Sequence, residues 1–161
     1  AVIALVPFLI ALFARGQPFK SIGWSRDNTR AGLLTGLMLE VLVIFLRGKF
    51  TALLKGLGTD QGSLLLVLLA LSLAEETIFR GYIHLRLSSY LGKTWGWLAT
   101  AVLFVLWQLP GRLGVLSTAD LLPLLLIALV QGLLLGWIMR KPGHVAAGAL
   151  FRAVADWLLL L

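Results

Sequence analysis

The chain has 161 residues, of which 60% are hydrophobic and only 13% are charged, and its mean hydropathy is +0.97. A soluble domain carries about 25% charged residues, so the composition excludes that class and indicates an integral membrane protein. A helix needs about 20 apolar residues to cross a bilayer. The length therefore predicts one domain, residues 1–161, folded as an all-α polytopic bundle of about six transmembrane spans.

Six apolar runs are predicted to form these spans in chain order. They cover residues 1–14, 31–46, 63–91, 94–109, 120–139 and 143–161. The first run is short for a span, and no charged region precedes it, which disfavours a cleaved signal peptide. Because the chain starts without Met, we expect further residues upstream. The third run would be roughly 43 Å long as a helix, so we expect it to project beyond the hydrocarbon or to break near Gly81.

Two of the predicted spans contain pairs of glycines four residues apart. Gly32 and Gly36 lie in the second span, and Gly132 and Gly136 lie in the fifth. Small residues at this spacing let two helix backbones approach closely in a membrane. We therefore expect both pairs to face a neighbouring helix.

The net charge of +7 does not indicate a nucleic-acid partner, because the basic residues lie in short segments between apolar runs. Membrane topology and anionic lipid headgroups account for that pattern, and lipids are expected partners. One side of the membrane has eight basic residues: Arg15, Lys20, Arg26, Arg30, Arg86, Lys93, Arg140 and Lys141. The other side has four: Arg47, Lys49, Lys55 and Arg112. The positive-inside rule predicts that the richer side is cytoplasmic.

Three charges at the centre of the third run require an explanation, namely Glu75, Glu76 and Arg80. Each charge at the middle of a bilayer costs roughly 2.5–3.5 kcal/mol on insertion scales, so such groups are functional candidates. Glu76 and Arg80 are four residues apart and can pair within their helix. Glu75 lies about 100° round the helix and points at another neighbour. A Glu in a water-accessible pocket could activate water as a general base. In the alternative, all three charged residues lie at the membrane interface and Arg80 reaches the lipid headgroups.

Other hydrolytic chemistries have little support in the sequence. It contains no His-Glu-x-x-His motif and no Gly-x-Ser-x-Gly motif. The two histidines are too few for a three-His zinc site. We expect His84 to be interfacial, and we expect His144 to be interfacial or to cap the last helix. The absence of cysteine removes thiol nucleophiles and thiolate metal sites.

Three motifs now show a family resemblance. Residues 75–81, Glu-Glu-Thr-Ile-Phe-Arg-Gly, match the Glu-Glu-x-x-x-Arg signature of the CPBP family, the CAAX proteases and bacteriocin-processing enzymes also called Abi. The family's Phe-x-x-x-His motif aligns with Phe104 to Gln108, where Gln replaces His. Its His-x-x-x-Asn/Asp motif aligns with Arg152 to Asp156, where Arg replaces His. The chain thus resembles this family of membrane proteins from about residue 31 to its end.

The resemblance implies that the first-motif Glu activates water for peptide cleavage in the membrane. It implies that the two His and the Asn/Asp stabilise the oxyanion or bind a metal. The corresponding positions in this chain are Glu75, Glu76, Arg80, Gln108, Arg152 and Asp156. An amide neither titrates nor binds divalent metal well, and a guanidinium cannot be a base or a ligand, so no metal or cofactor is expected.

Arg152 is instead a natural partner for the carboxylates. Three carboxylates against two guanidinium groups make a closed salt-bridge network chemically reasonable: Glu75, Glu76 and Asp156 with Arg80 and Arg152. Such a network would hold the helices in register. The alternative is a self-contained pair of Arg152 with Asp156, four residues apart at the membrane edge.

Three functional hypotheses follow. The first is a CPBP-type protein that has lost proteolysis and acts as a structural or assembly subunit with other integral membrane proteins, expected in a bacterial cytoplasmic membrane. The second is an active glutamate-dependent endopeptidase in which Gln108 holds the oxyanion and Arg152 polarises it. The third is a small transporter with Glu40, Glu75 and Glu76 as a proton relay, which the absence of an internal repeat disfavours.

Overall fold

The computed structural model describes residues 2–54, 56, 58–111, 113, 118–140 and 143–161. The described residues form helices and no strands. The helices are α1 (Val2–Ala14), two 3-10 turns (Phe19–Ile22 and Arg26–Asn28), α2 (Thr29–Leu46), α3 (Phe50–Leu54), α4 (Thr59–Glu76), a π-helical segment (Thr77–Ile83), α5 (His84–Leu91), α6 (Lys93–Gln108), α7 (Thr118–Arg140) and α8 (Val145–Leu160). The predicted all-α class is confirmed. That residues 1–161 form one domain stays a prediction.

Among the described residues, three helices are long and apolar enough to cross a membrane. They are Arg26–Leu46, Thr59–Leu91 and Asp120–Arg140. α6 and α8 have 16 residues each, or about 24 Å at 1.5 Å per residue, and are shorter than the hydrocarbon core. The chain is therefore an integral membrane protein, with helices at all six predicted runs. Three residues counted for its orientation lie outside the described residues: Lys55, Arg112 and Lys141.

The third span begins at Thr59, four residues before the predicted start at residue 63. Its first turn is polar but well capped, because the Gln61 side chain accepts a hydrogen bond from the Gly58 N–H at 3.2 Å. Trp157 of α8 also donates its indole N–H to the Gln61 carbonyl at 2.9 Å. These contacts stabilise the helix at residues 59–62, which apolar periodicity alone predicts to be a loop.

The same span does not break near Gly81. Instead, the helix widens into the π segment and continues through α5 to Leu91. Gly81 lies directly against the Ile22 carbonyl, so any side chain there would overlap the backbone of the first 3-10 turn. The glycine thus marks a close helix contact rather than a helix end.

α8 lies at the centre of the bundle and packs against both α2 and α4. Both predicted glycine pairs face a neighbouring helix. A Cβ added at Gly36 would lie 2.7 Å from the Leu150 side chain of α8, and one at Gly32 would lie 2.7 Å from His144. On α7, a Cβ at Gly136 would lie 2.5 Å from the Trp97 ring of α6. The prediction of close helix packing at these glycines is confirmed.

Candidate active site

The three charges predicted to mark the site lie where α4 passes into the π segment. Glu75 and Glu76 are the last residues of α4, and Arg80 lies within the π segment. A π turn forms i→i+5 hydrogen bonds and occurs frequently at functional sites. Thr77, the first residue of the segment, accepts a hydrogen bond from Trp24 Nε1 at 3.0 Å. The chain that follows α1 is thereby fixed against the helix that carries the charges.

Glu76 and Arg80 form a fully buried ion pair. Glu76 Oε1 lies 3.0 Å from Arg80 Nη1, and both side chains are only 1% exposed. Arg80 Nη2 also donates to the Gly132 carbonyl of α7 at 3.4 Å. The predicted pairing within the helix is confirmed. The alternative in which Arg80 reaches the lipid headgroups is wrong, because the guanidinium is enclosed by the bundle.

Glu75 points to a different neighbour, as its angle round the helix predicted. Glu75 Oε2 pairs with Arg152 Nη1 of α8, and Glu75 Oε1 accepts from Trp107 Nε1 at 3.5 Å. Arg152 Nε lies 3.5 Å from Asp156 Oδ2, so Arg152 bridges two carboxylates. Arg152 therefore pairs with Asp156 within α8 and with Glu75 of α4 at the same time. The five charges divide into a buried pair and a bridged triplet rather than one continuous set of ion pairs.

Phe104 links these two groups. Its ring is 0% exposed, with the Arg80 Cζ atom 4.2 Å and the Arg152 Cζ atom 5.0 Å from the ring centroid. An aromatic ring attracts a guanidinium electrostatically, most strongly where water is excluded. Phe104 was predicted only as a motif position, and this contact was not predicted. Its spacing from Gln108 in the second motif was the available signal.

Gly148 is a second residue that the sequence analysis missed. A Cβ added there would lie 2.7 Å from Glu76 Oε2, so the glycine leaves the space that this carboxylate fills. Gly148 precedes Arg152 by four residues and therefore lies on the same face of α8. That spacing was a signal for a shared role. One face of α8 thus meets both glutamates of α4.

Gln108 ends α6, one turn beyond Phe104, and is half-buried. It follows Trp107, the residue that donates to Glu75. All six predicted site residues therefore lie on the three elements that meet around Phe104: the α4 end with its π segment, α6 and α8. Their catalytic roles stay predictions.

The two histidines lie outside this cluster. His144 is the N-cap of α8, and its Nδ1 accepts from the Ala146 N–H at 3.1 Å, so the predicted capping role is confirmed. His84 is only 6% exposed and packs at the start of α5, and its predicted position at the membrane interface stays a prediction. Among the described residues, no three His, Cys, Asp or Glu side chains are grouped to hold a metal ion. The residues at the site do not fit the metal of the metalloprotease description.

A Glu-Glu-x-x-x-Arg cluster at the junction of several membrane helices is the arrangement that the resemblance to intramembrane proteases predicted. The family model described as Type II CAAX prenyl endopeptidase Rce1-like matches residues 60–158, which are 99 of the 161 residues. The chain belongs to this family, and the predicted resemblance to CPBP proteins is confirmed. The match starts later than residue 31, where the predicted similarity began. Comparison with curated proteins and with solved structures gave no match.

Proposed function

We propose that this chain is a CAAX-protease-like membrane protein that has lost proteolysis and serves as a structural or assembly subunit of a membrane protein complex. The observation that carries the proposal is the ion pair of Glu75 with Arg152. Arg152 occupies a motif position where the family pattern has His. A guanidinium stays protonated and accepts no proton. Because Arg152 already pairs with Glu75 Oε2, this carboxylate oxygen is engaged rather than free to activate water.

The second motif position supports the same proposal. Gln108 replaces the other His, and an amide can donate a hydrogen bond but cannot exchange a proton at neutral pH. It is also a poor ligand for divalent metals. The proposed function therefore includes no metal or cofactor. What the site retains is the Glu75–Arg152 ion pair, which joins α4 to α8, together with the Arg152–Asp156 pair within α8.

The outward surface supports a role among other membrane proteins. α2 exposes apolar side chains along its length, among them Leu34, Met38 and Phe45. Such a surface suits lipid and the helices of other integral membrane proteins, which are the proposed partners. The resemblance to bacteriocin-processing enzymes supports a bacterial cytoplasmic membrane as the proposed location.

A peptidase assay tests the loss of proteolysis. The full chain is reconstituted in liposomes and offered a prenylated peptide with a CAAX terminus, alongside the Glu75→Gln variant. We expect no cleavage above the Glu75→Gln background. Glu75-dependent cleavage by the natural sequence would overturn the proposal. The double variant Gln108→His with Arg152→His tests whether the two replacements are what suppress activity.

Size measurement in a mild detergent tests the subunit role. We expect the chain to elute in a stoichiometric complex larger than its own 17.5 kDa monomer. Native mass spectrometry of the same fraction gives the masses and copy numbers of the other components. A homogeneous monomer in the native membrane extract would contradict the subunit role.

One observation favours an active endopeptidase as the second candidate. Asp156 lines a cavity of about 440 Å³ together with Gln131 and Arg47, and Arg152 is the neighbour of Asp156. A substrate in this cavity would lie close to the bridged triplet. Gln108 would then donate to the oxyanion, and Glu75 would have to leave Arg152 to activate water. The liposome assay separates the two candidates.

A further inference from the structure

We propose that a polar cavity between α5, the start of α6 and the end of α7 binds a phosphate-bearing anion. The cavity has a volume of about 560 Å³. Five of its lining residues carry polar groups: His84, Ser88, Lys93, Thr94 and Arg140. No carboxylate is among the described residues that line it. Two cations and two hydroxyl groups around one space make up the donor set that a phosphate group requires.

Two buried polar atoms in this wall have no hydrogen-bond partner within the protein. His84 is 6% exposed and its Nδ1 atom is unpartnered, and the hydroxyl of Ser88 is in the same state. Buried polar atoms are normally hydrogen-bonded, so each unpartnered one requires an explanation. In the proposed site, an anion accepts from the Ser88 hydroxyl and from a proton on His84 Nδ1.

The first turn of α6 adds the positive end of a helix dipole. Lys93 begins this 16-residue helix, and Gly92 at its N-cap has no side chain to accept from the first N–H groups. Helix starts of this kind attract anions through free N–H groups and the macrodipole. Gly96 packs against the backbone of Ser88 and thereby brings α5 to this helix start.

Arg140 is held beside the same helix start. Its Cζ atom lies 4.5 Å from the centroid of the Trp97 ring, and its Nη2 donates to the Lys93 carbonyl at 3.4 Å. A guanidinium has five N–H groups, so one hydrogen bond leaves it able to bind a ligand. Stacking and hydrogen bonding therefore orient Arg140 at the cavity.

The position of the cavity favours a lipid headgroup as the source of the phosphate. The segments that carry Lys93 and Arg140 belong to the side with eight basic residues, which the positive-inside rule predicts to be cytoplasmic. Basic pockets between membrane helices on that side bind anionic headgroups. Lys93 lies at the start of α6 and Gln108 lies at its end, about 22 Å away. This cavity is therefore separate from the protease-like site.

The test uses the full chain in nanodiscs of equal parts phosphatidylglycerol and phosphatidylcholine. Lipids that stay bound are counted by native mass spectrometry. The Lys93→Gln/Arg140→Gln double variant is compared with Arg15→Gln/Lys49→Gln, which removes two basic residues elsewhere. We expect the natural chain and the control to retain phosphatidylglycerol preferentially, and the Lys93/Arg140 variant to lose roughly tenfold of that preference. Ser88→Ala, a smaller change, should weaken retention without affecting folding.

A second arm distinguishes a free phosphate from a headgroup. In nanodiscs of phosphatidylcholine alone, inorganic phosphate is titrated while the thermal midpoint is recorded. A stabilisation that requires Lys93 and Arg140, without selective lipid retention, assigns the site to a soluble phosphate. If both arms are the same for the natural chain, the Lys93/Arg140 variant and the control, the proposal is wrong.

Discussion

Glu75 of α4 pairs with Arg152 of α8, which lies one turn after Gly148 and one turn before Asp156. This spacing puts three contacts on one face of the central helix. Gly148 meets Glu76, Arg152 meets Glu75, and Asp156 meets Arg152. The protease-like site is therefore also a polar part of the α4–α8 contact, in addition to the hydrogen bond from Trp157 to the Gln61 carbonyl. Changes to its charges should alter the stability of the bundle even if no peptide is ever cleaved.

The first prediction concerns Arg152→Gln. Removing the guanidinium leaves Glu75 and Asp156 without their shared partner, and the side chains of Arg152 and Glu75 are only 13% and 15% exposed. Breaking a buried ion pair costs about 3–5 kcal/mol of stability. Because both side chains are partly exposed, we expect Arg152→Gln to lower the free energy of unfolding by about 3 kcal/mol. Denaturant unfolding in detergent micelles measures the free energy of unfolding.

Arg15→Gln is the control for this measurement, because Arg15 is exposed and its loss should change the stability by less than about 0.5 kcal/mol. A double-mutant cycle adds Glu75→Gln. Since this second change removes the uncompensated carboxylate, it should cost much less in the Arg152→Gln background than alone. Additive effects would contradict a direct pairing.

Part of this site could be predicted from the sequence because it depends on local spacing. A residue and its i+4 neighbour lie on one helix face, which gave the Glu76–Arg80 pair. The helical bundle could also be predicted from the sequence, because it follows from the apolar runs along the chain. The partner of Glu75 required the motif alignment, since helical periodicity gives a direction but not the neighbour that lies there.

Other features depend on how the helices pack and were not accessible. The shared contact of Phe104 with Arg80 and Arg152 depends on the rotation of α6 against α4 and α8. The hydrogen bonds of the π segment span one residue more than those of an α-helix, and the sequence of 77–83 contains no proline to mark that change. The burial of His84 beside a cavity was also not predicted, because it depends on how α5 packs against its neighbouring helices.

The second prediction compares two glycines within helices. At Gly62 of α4 a Cβ would meet no atom within 4 Å, whereas at Gly148 it would lie 2.7 Å from Glu76 Oε2. Gly62→Ala should stabilise the protein by roughly 0.5–1 kcal/mol, because alanine favours the helix. Gly148→Ala should destabilise it, because Glu76 is held by Arg80 and has no room to move. If thermal unfolding gave both variants the same sign, the packing of Glu76 against α8 would be wrong.

The third prediction concerns the ring that Arg80 and Arg152 share. Phe104→Leu keeps an apolar side chain but removes two cation–π contacts, each contributing roughly 1–2 kcal/mol when water is excluded. Phe79→Leu, at a ring that is 4% exposed, is the control for loss of a buried aromatic side chain. Phe104→Leu should be the more destabilising change in chemical unfolding. The difference should shrink in the Arg152→Gln background, and an unchanged difference would exclude the Arg152 contact.

The last prediction is a pH dependence at the start of α8. Burial lowers the pKa of His144 below its ordinary value of 6.5, because the folded protein disfavours the charged imidazole. The neutral Nδ1 accepts from the Ala146 N–H at 3.1 Å. Between the lowered pKa and 6.5, the unfolded chain binds more protons, so stability rises with pH through this window. The contribution is complete above about pH 6.5 and is lost as the pH falls to the lowered pKa.

His144→Asn tests this dependence, because asparagine is a good N-cap that does not titrate. Thermal midpoints are measured between pH 7.5 and 5 in buffers of equal ionic strength. The natural chain should lose stability on acidification, and the variant should lack that component while remaining folded. Lys20→Gln is the control, because Lys20 forms an exposed ion pair with Asp27 that lies apart from the α8 cap. Parallel curves for the natural chain and His144→Asn would show that His144 does not set the acid sensitivity.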